Sequence, residues 1–334
     1  MAVCCLDEAG TWGEQLRDEG IAVEALGRRA GFHPTFSRRV AAAAKRHHAN
    51  VIHAHQYSPF VYGSIARLWQ PSVRVIFTEH GRLSDAPPST KRRVANWMLS
   101  RVPYEAFAVS DDLKKHMVAE GFAHRRVNVI HNGIEVGPPP NPTARRTIRT
   151  ELGVSDGEMI VGTIARLDQV KDLGTLIRAV ERLNHDLRVT LLIVGDGPER
   201  ANLEALAVAG TRKVPVRFLG HRDDARDVLA GCDAYANSSI SEGISLTILE
   251  AMAAQLPVVA TNVGGTPEII DATCGRLIPA RNPEALKDAL LGLTKEPTLR
   301  QRLGQAARQR VTERFTLERM VAQYRDAYFR AVGA

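Results

Sequence analysis

The residues best suited to chemistry lie in a stretch, 241–253, that turns from a loop into a helix. Glu242 and Gly243 precede the helix, Ser245 is its predicted N-cap, and Glu250 lies about one turn inside it. A glycine before a helix start lets the backbone approach a ligand, and the N–H groups of the first turn point toward it. The spacing therefore indicates a phosphate site between two carboxylates, which suits a sugar nucleotide. An ordinary buried helix with an exposed glutamate at each end is the other interpretation.

Two cations belong to the same half of the chain. Arg166 and Lys171 stand just past a predicted strand and just before a helix. If they face the turn at 245–248, their charges would neutralise a diphosphate. A single arginine or lysine is ordinarily a solvent-facing base, so the hypothesis depends on the combination of residues.

Predicted strands alternate with helices along the whole chain. The strands are expected at 2–6, 21–26, 51–55, 73–78, 105–110, 127–130, 159–163, 189–194, 216–219, 234–236, 257–261 and 276–278. This alternation is typical of parallel, doubly wound sheets, whose ligands bind beyond the carboxyl ends of the strands. The composition breaks at 137–142, where a cluster of prolines predicts a stiff linker. The fold class is therefore α/β, with two Rossmann-like domains.

Length and composition are those of a globular protein. The 334 residues suit two domains, and 44% hydrophobic with 24% charged residues can form sizeable cores. We expect no membrane-spanning segment and no signal peptide, since Asp7 and Glu8 follow the short apolar start. The four cysteines show no CxxC spacing, so we expect reduced thiols in the cytosol.

The net charge of +7 suits phosphate-bearing ligands, an anionic membrane surface or nucleic acid. Basic residues are concentrated in the first predicted domain: Arg28, Arg29, Arg38, Arg39, Lys45, Arg46, Lys91, Arg92 and Arg93. They allow peripheral contact with anionic lipid, and a solvated basic surface is the alternative.

Polar residues at the predicted strand ends follow a set order. In sequence they are Gly162, Arg166-Leu167, Lys171, Gly195-Asp196-Gly197-Pro198, Phe218-Leu219-Gly220, Glu242, Glu250-Ala251, Pro257-Val258-Val259-Ala260, Gly264-Gly265 and Pro267-Glu268. This set resembles the retaining glycosyltransferases of family 4, which have the two-domain GT-B fold. Asn132-Gly133-Ile134 matches the same family. The segment Thr78–Arg82 resembles in particular bacterial sugar transferases of exopolysaccharide and exosortase-associated gene clusters.

The resemblance implies a donor site built around one helix N-terminus. Its residues would be Arg166, Lys171, Gly220, Gly243, Ser245, Leu246, Thr247 and Glu250. Arg166 and Lys171 would hold the diphosphate and stabilise the charge left on it as the glycosidic bond breaks. Backbone N–H groups of 245–247 would bind the same phosphates, Glu250 the ribose hydroxyls, and the backbone of 219–220 the base.

The same resemblance implies four catalytic residues, Glu242, His80, Arg166 and Lys171. Glu242 would contact the transferred sugar, and His80 would line the cleft from the first domain near the sugar and acceptor. Retention is expected through a same-face reaction in which the leaving diphosphate helps to deprotonate the acceptor, with no protein nucleophile. We expect no catalytic metal and no cofactor. Of the other histidines, we expect His53 to be packed, His55 to face the acceptor side and His131 to be structural.

The family pattern also implies the domain organisation. The expected parts are an acceptor-side domain at 1–137, a Pro-rich linker at 138–143, a donor domain at 144–312 and a helix at 313–334 packing back toward the first domain. Family members begin with a strand, a Gly-rich loop and a helix before the segment that resembles residues 2–6. We therefore expect the first domain to lack this βα unit of roughly 30–40 residues.

The implied function is transfer of a sugar from a nucleoside diphosphate sugar to a glycan or lipid-linked acceptor in cell-surface polysaccharide synthesis. The expected location is the cytoplasm, with peripheral membrane contact and no nucleic-acid partner. Two alternatives stay open: a truncated, non-catalytic nucleotide-sugar-binding protein, and a GT-B-type epimerase or phosphorylase. A two-carboxylate glycosidase would explain neither Arg166 nor Lys171, so it ranks below them.

Overall fold

The computed structural model describes residues 1–82, 89–99, 104–155, 157–183, 187–209 and 215–333. The chain divides into two compact units, Met1–Ile130 with Val321–Ala334, and His131–Met320. The boundary between 130 and 131 precedes the predicted linker, 138–143. Pro142 of that linker begins a helix instead, because its missing N–H is tolerated at a helix start and Asn141 caps the helix through Oδ1, 2.7 Å from Ala144 N.

The first unit contains six strands and five helices within its described N-terminal part. They are β1 (Ala2–Cys5), α1 (Gly10–Asp18), β2 (Ala22–Ala25), α2 (Ser37–Arg46), β3 (Val51–His55), α3 (Tyr57–Ala66), β4 (Arg74–Glu79), α4 (Thr90–Leu99), β5 (Tyr104–Ala108), α5 (Asp111–Ala119) and β6 (Val127–Val129). Ser110 caps α5, because its Oγ accepts from Leu113 N at 3.0 Å.

The strands of this unit form two separate parallel sheets. β1 pairs with β2, and β3-β4-β5-β6 form a four-stranded sheet. Leu6, just after β1, and Ile52 of β3 pack against one apolar cluster that includes Leu26, Phe36 and Tyr62. Among the described strands, β1 and β3 therefore each have one edge without a partner. The expectation of a missing βα unit stays a prediction.

The second unit is built on one six-stranded parallel sheet in the order β12-β11-β10-β7-β8-β9. Its strands are β7 (Met159–Ile164), β8 (Val189–Val194), β9 (Val216–Gly220), β10 (Ala234–Asn237), β11 (Val258–Thr261) and β12 (Gly275–Ile278). Every residue of β8 is buried, which is typical of a strand that is covered on both faces. This doubly wound arrangement confirms the predicted α/β class.

Helices cover both faces of this sheet. They are α6 (Pro142–Glu151), α7 (Leu173–Leu183), α8 (Arg200–Ala209), α9 (Ala225–Ala230), α10 (Leu246–Ala253), α11 (Thr266–Ile269), α12 (Pro283–Lys295) and α13 (Pro297–Arg314), followed by α14 (Leu317–Val332). From Val321 onward α14 belongs to the first unit, where the Tyr324 ring centroid lies 5.7 Å from that of Phe107. Across the described residues, no helix combines the length and apolar character needed to cross a bilayer.

Candidate active site

The predicted phosphate turn is present at the start of α10. Ser245 occupies the N-cap position, but its hydroxyl lies 3.2 Å from Thr247 Oγ1 and does not cap the helix. Tyr235 Oη donates to the same Thr247 oxygen at 2.8 Å, which fixes the first turn from the side of β10. The expectation that the serine hydroxyl satisfies a first-turn N–H is thus wrong. Without a side-chain cap, the N–H groups of this turn are available to an anion.

Glu242 is a buried carboxylate with three donors on one oxygen. Its side chain is 8% exposed, and Oε1 accepts from Lys171 Nζ at 2.6 Å. Ser239 Oγ and Asn237 Nδ2 donate to the same atom at 2.6 and 3.2 Å. Charge-assisted hydrogen bonds of this kind hold a carboxylate in one orientation. Glu242 is therefore a fixed negative group beside the N-terminus of α10.

A glycine turn after β11 supports the Glu242 loop. Gly265 N donates to Gly243 O at 3.1 Å. Gly264 has a φ of +51°, and a Cβ there would lie 1.8 Å from Glu242 O. Only glycine allows both this conformation and this close approach. The Gly264-Gly265 pair, which the sequence marks only as part of a family pattern, acts by shaping the loop that carries Glu242.

Lys171 reaches Glu242 because the loops after β7 and β10 are joined. Lys171 ends a short 3₁₀ turn, Gln169–Lys171, that Asp168 caps. Ser238 Oγ donates to Lys171 O at 2.9 Å, and Ile240 N donates to Val170 O at 2.8 Å. Hydrogen bonds thus join the two loops, and the contacts to the backbone of residues 170 and 171 set the position of Lys171.

Arg166 differs from Lys171 in its surroundings. Its side chain is exposed just past β7, and within the described part of the chain no hydrogen bond or ion pair engages the guanidinium. The structure therefore pairs Lys171 with a carboxylate and leaves Arg166 open to solvent. A free guanidinium is suited to bind two oxygens of a phosphate.

Glu250 lies inside α10 and has a partner that sequence reasoning missed. Its side chain is 20% exposed, and Oε1 lies 3.1 Å from Arg226 Nε of α9. No local motif marks Arg226, because the pairing depends on how two helices pack. At the end of β9, Gly220 has a φ of +70° and its carbonyl accepts from Gly195 N at 2.7 Å.

Asn132 is a second residue without a predicted role. Its Nδ2 donates to Ile244 O at 3.2 Å, which connects the Asn132-Gly133-Ile134 segment to the loop before α10. The neighbouring His131 Nε2 lies 3.0 Å from Glu268 Oε2, a hydrogen-bonding contact that fits the structural role expected for it.

In the first unit, His80 follows β4 and pairs with His55 at the end of β3. His55 Nδ1 lies 2.9 Å from His80 Nε2, and the rings stack with centroids 5.2 Å apart. Burial lowers the pKa of His80 to about 4, and the nearby His55 acts in the same direction. Burial also lowers the pKa of His55. Both rings are therefore neutral near pH 7, so one donates a hydrogen bond to the other.

His53 is packed, as predicted, and joins β3 to α14. Its Nδ1 lies 2.7 Å from Tyr328 Oη, and its Nε2 lies 2.8 Å from Thr78 Oγ1. Thr78 Oγ1 donates to Tyr324 Oη at 3.1 Å, so the hydroxyl proton of Thr78 is already used. Hence His53 Nε2 donates to Thr78 and Tyr328 donates to His53 Nδ1. Burial, with His55 and His80 beside the ring, lowers the pKa of His53 to about 3.

Two family models match the chain. Glycosyl transferases group 1 covers residues 144–310, and Glycosyltransferase Family 4 covers residues 1–137. The N-acetyl-alpha-D-glucosaminyl L-malate synthase of Bacillus anthracis is 32% identical over 183 residues, 54% of this chain and 48% of its own length. The alpha-maltose-1-phosphate synthase of Mycolicibacterium smegmatis is 28% identical over 306 residues, 84% of this chain and 79% of its own length.

Solved structures share the whole fold. Anabaena Alr3699/HepE in complex with UDP matches with a TM-score of 0.87 and 22% identity, over 98% of this chain and 99% of that chain. The same protein in complex with UDP-glucose matches with a TM-score of 0.83 and 24% identity, over 96% and 89%. Two Rossmann-like units of this kind form the GT-B fold. The chain belongs to glycosyltransferase family 4, and its second unit to the glycosyl transferases group 1. It spans about half the length of the B. anthracis relative that it matches.

Proposed function

We propose that this protein transfers a sugar from a nucleoside diphosphate sugar to a glycan or lipid-linked acceptor, with retention of configuration. The observation that carries the proposal is the uncapped N-terminus of α10 beside the Lys171–Glu242 pair. Anionic phosphates bind at such helix starts, and the carboxylate is placed for sugar hydroxyls. Anabaena Alr3699/HepE, which has the same fold, is described in complex with UDP and with UDP-glucose.

The diphosphate is bound by the N–H groups of 245–247, Lys171 and the free guanidinium of Arg166. As the bond between the sugar C1 and the phosphate oxygen breaks, negative charge develops on the leaving diphosphate. Fixed donors and cations stabilise that charge in the transition state. Because these groups supply the positive charge, the proposed reaction needs no metal ion.

Retention follows from a same-face reaction. The acceptor oxygen bonds to C1 on the face that the diphosphate leaves, and the acceptor proton passes to a phosphate oxygen. Glu242 does not attack C1 in this scheme, because its donors hold it as a hydrogen-bonding and electrostatic partner of the sugar. Glu250 binds the ribose hydroxyls and shares its carboxylate with Arg226. The backbone at Gly220 faces the base.

His80 supplies the acceptor side. Its pKa of about 4 keeps the ring neutral, so it acts as a hydrogen-bonding group and not as a cation. We place the reaction in cell-surface polysaccharide synthesis, in the cytoplasm or at the inner face of the membrane. A relative from Escherichia coli, the O-antigen biosynthesis glycosyltransferase WclY, is 27% identical over 201 residues, 60% of this chain and 55% of its own length.

The test pairs a donor-binding assay with a turnover assay. UDP-glucose is titrated into the purified chain by calorimetry, and transfer or hydrolysis is followed by release of UDP. Binding with turnover to a lipid-linked or glycan acceptor supports the proposal. Binding without any turnover supports a non-catalytic nucleotide-sugar-binding protein. Free epimer or sugar phosphate among the products would indicate an epimerase or phosphorylase.

A further inference from the structure

A cavity in the second unit lies where α7 and α12 begin. Its volume is about 440 Å³, within the range of roughly 300–1,000 Å³ that is typical of small-molecule sites. Residues of α7, of the start of α12 and of the loops after β7, β10 and β12 form its wall. None of the described residues assigned to the donor lines this cavity. Its polar lining consists of Gln169, Asp172, Thr175, Arg178 and Arg281.

Two arginines bring positive charge to the cavity without a partner of their own. Arg178 and Arg281 are exposed, and within the described ranges no hydrogen bond or ion pair engages either guanidinium. Arg178 Nη1 lies over Gly174, where a Cβ would be 3.3 Å away, so the side chain extends toward the start of α7. Glu284, the acidic residue in the first turn of α12, pairs with Arg182 at 2.6 Å instead. Two unpaired guanidinium groups at one cavity favour an anionic ligand, and phosphate oxygens match their paired N–H donors.

One carboxylate restricts which anion fits. Asp172 Oδ2 accepts from Thr175 Oγ1 at 2.8 Å, and among the described residues no ion pair joins Asp172 to either arginine. A bare phosphate is repelled by this carboxylate, whereas a hydroxyl group can donate to it. The cavity thus combines cations for a phosphate group with a carboxylate for hydroxyl groups.

The cavity also adjoins the loops that hold the Lys171–Glu242 pair. Ile240, which lines the cavity, donates its N–H to Val170 O at 2.8 Å, and this bond joins the loop of Lys171 to the loop of Glu242. A ligand in the cavity would therefore contact both loops without occupying the N-terminus of α10.

We propose that this cavity binds a small hydroxylated phosphate ester, of the sugar phosphate class, at a site separate from the donor. Arg178 and Arg281 bind the phosphate group. Asp172 accepts hydrogen bonds from hydroxyl groups, and the amide of Gln169 supplies a further donor and acceptor for them. The inference goes beyond the proposed sugar transfer, because it requires neither donor nor acceptor.

The experiment is calorimetric titration of the full chain with glucose 6-phosphate, with inorganic phosphate and with glucose. We expect saturable binding of glucose 6-phosphate with a Kd below about 1 mM, and at least about tenfold weaker binding of the other two probes. Because charge-assisted hydrogen bonds are lost, Arg178→Gln with Arg281→Gln should weaken binding of glucose 6-phosphate at least about thirtyfold. Arg178→Lys with Arg281→Lys keeps the charges but not the planar fork, so it should weaken binding less.

The carboxylate has its own variant. Asp172 has a φ of +43°, a left-handed conformation that asparagine also tolerates. Asp172→Asn removes the charge that repels bare phosphate. The preference for glucose 6-phosphate over inorganic phosphate should therefore become smaller.

Matched controls come from other exposed arginines of the second unit. Arg302→Gln with Arg314→Gln removes two charges from α13 and should bind glucose 6-phosphate as the unchanged protein does. Arg166→Gln removes a cation proposed for the donor diphosphate, and it should also leave this affinity unchanged. Thermal unfolding of every variant should match that of the unchanged protein, since the altered arginines are exposed and unpaired.

The inference is overturned if glucose 6-phosphate shows no saturable binding up to about 10 mM, or if inorganic phosphate binds equally well. It is also overturned if the variant with glutamine at 178 and 281 binds as the α13 control does. A loss of binding in Arg166→Gln would place the probe at the donor turn and would contradict a separate site. These titrations contain no UDP-glucose and no acceptor, so their failure leaves the proposed sugar transfer to its own assays.

Discussion

Lys171 Nζ lies 2.6 Å from Glu242 Oε1, so the cation expected at the phosphate and the carboxylate expected at the sugar are paired with each other. Ser239 and Asn237 donate to the same carboxylate oxygen. Glu242 therefore keeps two donors if Lys171 turns to a bound diphosphate. A bound diphosphate and the Glu242 carboxylate compete for this lysine. Mutation of Lys171 and mutation of Glu242 should therefore have different effects on donor binding.

Glu242→Gln should separate binding from transfer. The amide oxygen still accepts hydrogen bonds, while the loss of its charge frees Lys171 for the diphosphate. We expect donor affinity that is equal or tighter, measured by calorimetry with UDP-glucose. We expect kcat to fall by about 100-fold, because a group that acts on the developing charge of the sugar is lost. Glu313→Gln, at an exposed site on α13, is the control. Weaker binding of UDP-glucose by Glu242→Gln, together with an unchanged kcat, would contradict the assignment.

Arg166→Ala with Lys171→Ala should weaken donor binding. Each charge-assisted hydrogen bond is worth about 1.5–3 kcal/mol, so losing both should raise the Kd for UDP-glucose at least about 100-fold. Arg302→Ala removes an exposed arginine of the same unit and should leave the Kd unchanged. Unaltered donor affinity in the double variant would refute the diphosphate role of these cations.

Alternation of strands and helices predicts the second unit well, because the apolar runs of β7, β8, β10 and β11 identify buried strands. The C-terminal helix expected at 313–334 is present as α14, Leu317–Val332, and α10 begins after Ser245 as expected. The hydrogen bond of the Ser245 hydroxyl could not be predicted, because Thr247, two residues further on, competes with the backbone for this hydroxyl.

Pairings between distant residues could not be predicted. Lys171 and Glu242 are joined only because Ser238 and Ile240 hydrogen-bond the loop before Lys171. The sequence contains both loops but not their contact. The exposure of Val94, Trp97 and Met98 on α4 could not be predicted for another reason. Periodicity locates an apolar stripe on a helix, but it does not say whether the stripe faces the core.

His55 should act as a positioning residue for His80. Its Nδ1, 2.9 Å from His80 Nε2, fixes which nitrogen of His80 carries the proton. His55→Phe should lower kcat about tenfold and change the ¹⁵N shifts that report the His80 tautomer, with the donor Kd unchanged. His55→Asn places an amide near the position of Nδ1 and should restore part of the rate.

His124→Phe, an exposed histidine of the same unit, is the control for this pair. If kcat falls equally in His55→Phe and His55→Asn and the His80 tautomer is unaltered, His55 acts only by packing. Because the pKa of His80 is about 4, its protonation should not affect kcat between about pH 6 and 8.

Glu79, beside His80, should make the protein less stable as pH rises. Glu79 is 3% exposed, and burial raises the pKa of its carboxyl to about 7, although Arg92 opposes the shift. Glu120 raises the pKa further, while a backbone hydrogen bond at His80 lowers it. The folded state therefore holds this proton more tightly than the unfolded state, where the pKa is near 4.5. The resulting stabilisation is complete below that value and is lost as pH rises through about 7.

Glu79→Gln removes this ionisation and keeps the side-chain shape. We compare the free energy of unfolding of the variant with that of the unchanged protein. The difference should shift by about 2 kcal/mol in favour of the variant from about pH 5 to about pH 8. Arg92 keeps its closer partner, Glu120 Oε2, at 3.0 Å, so the attachment of α4 should survive. Urea unfolding at both pH values measures the difference, and Glu313→Gln should show none. A variant that loses stability at about pH 8 would instead mean that the Glu79 carboxylate is charged and stabilising beside Arg92.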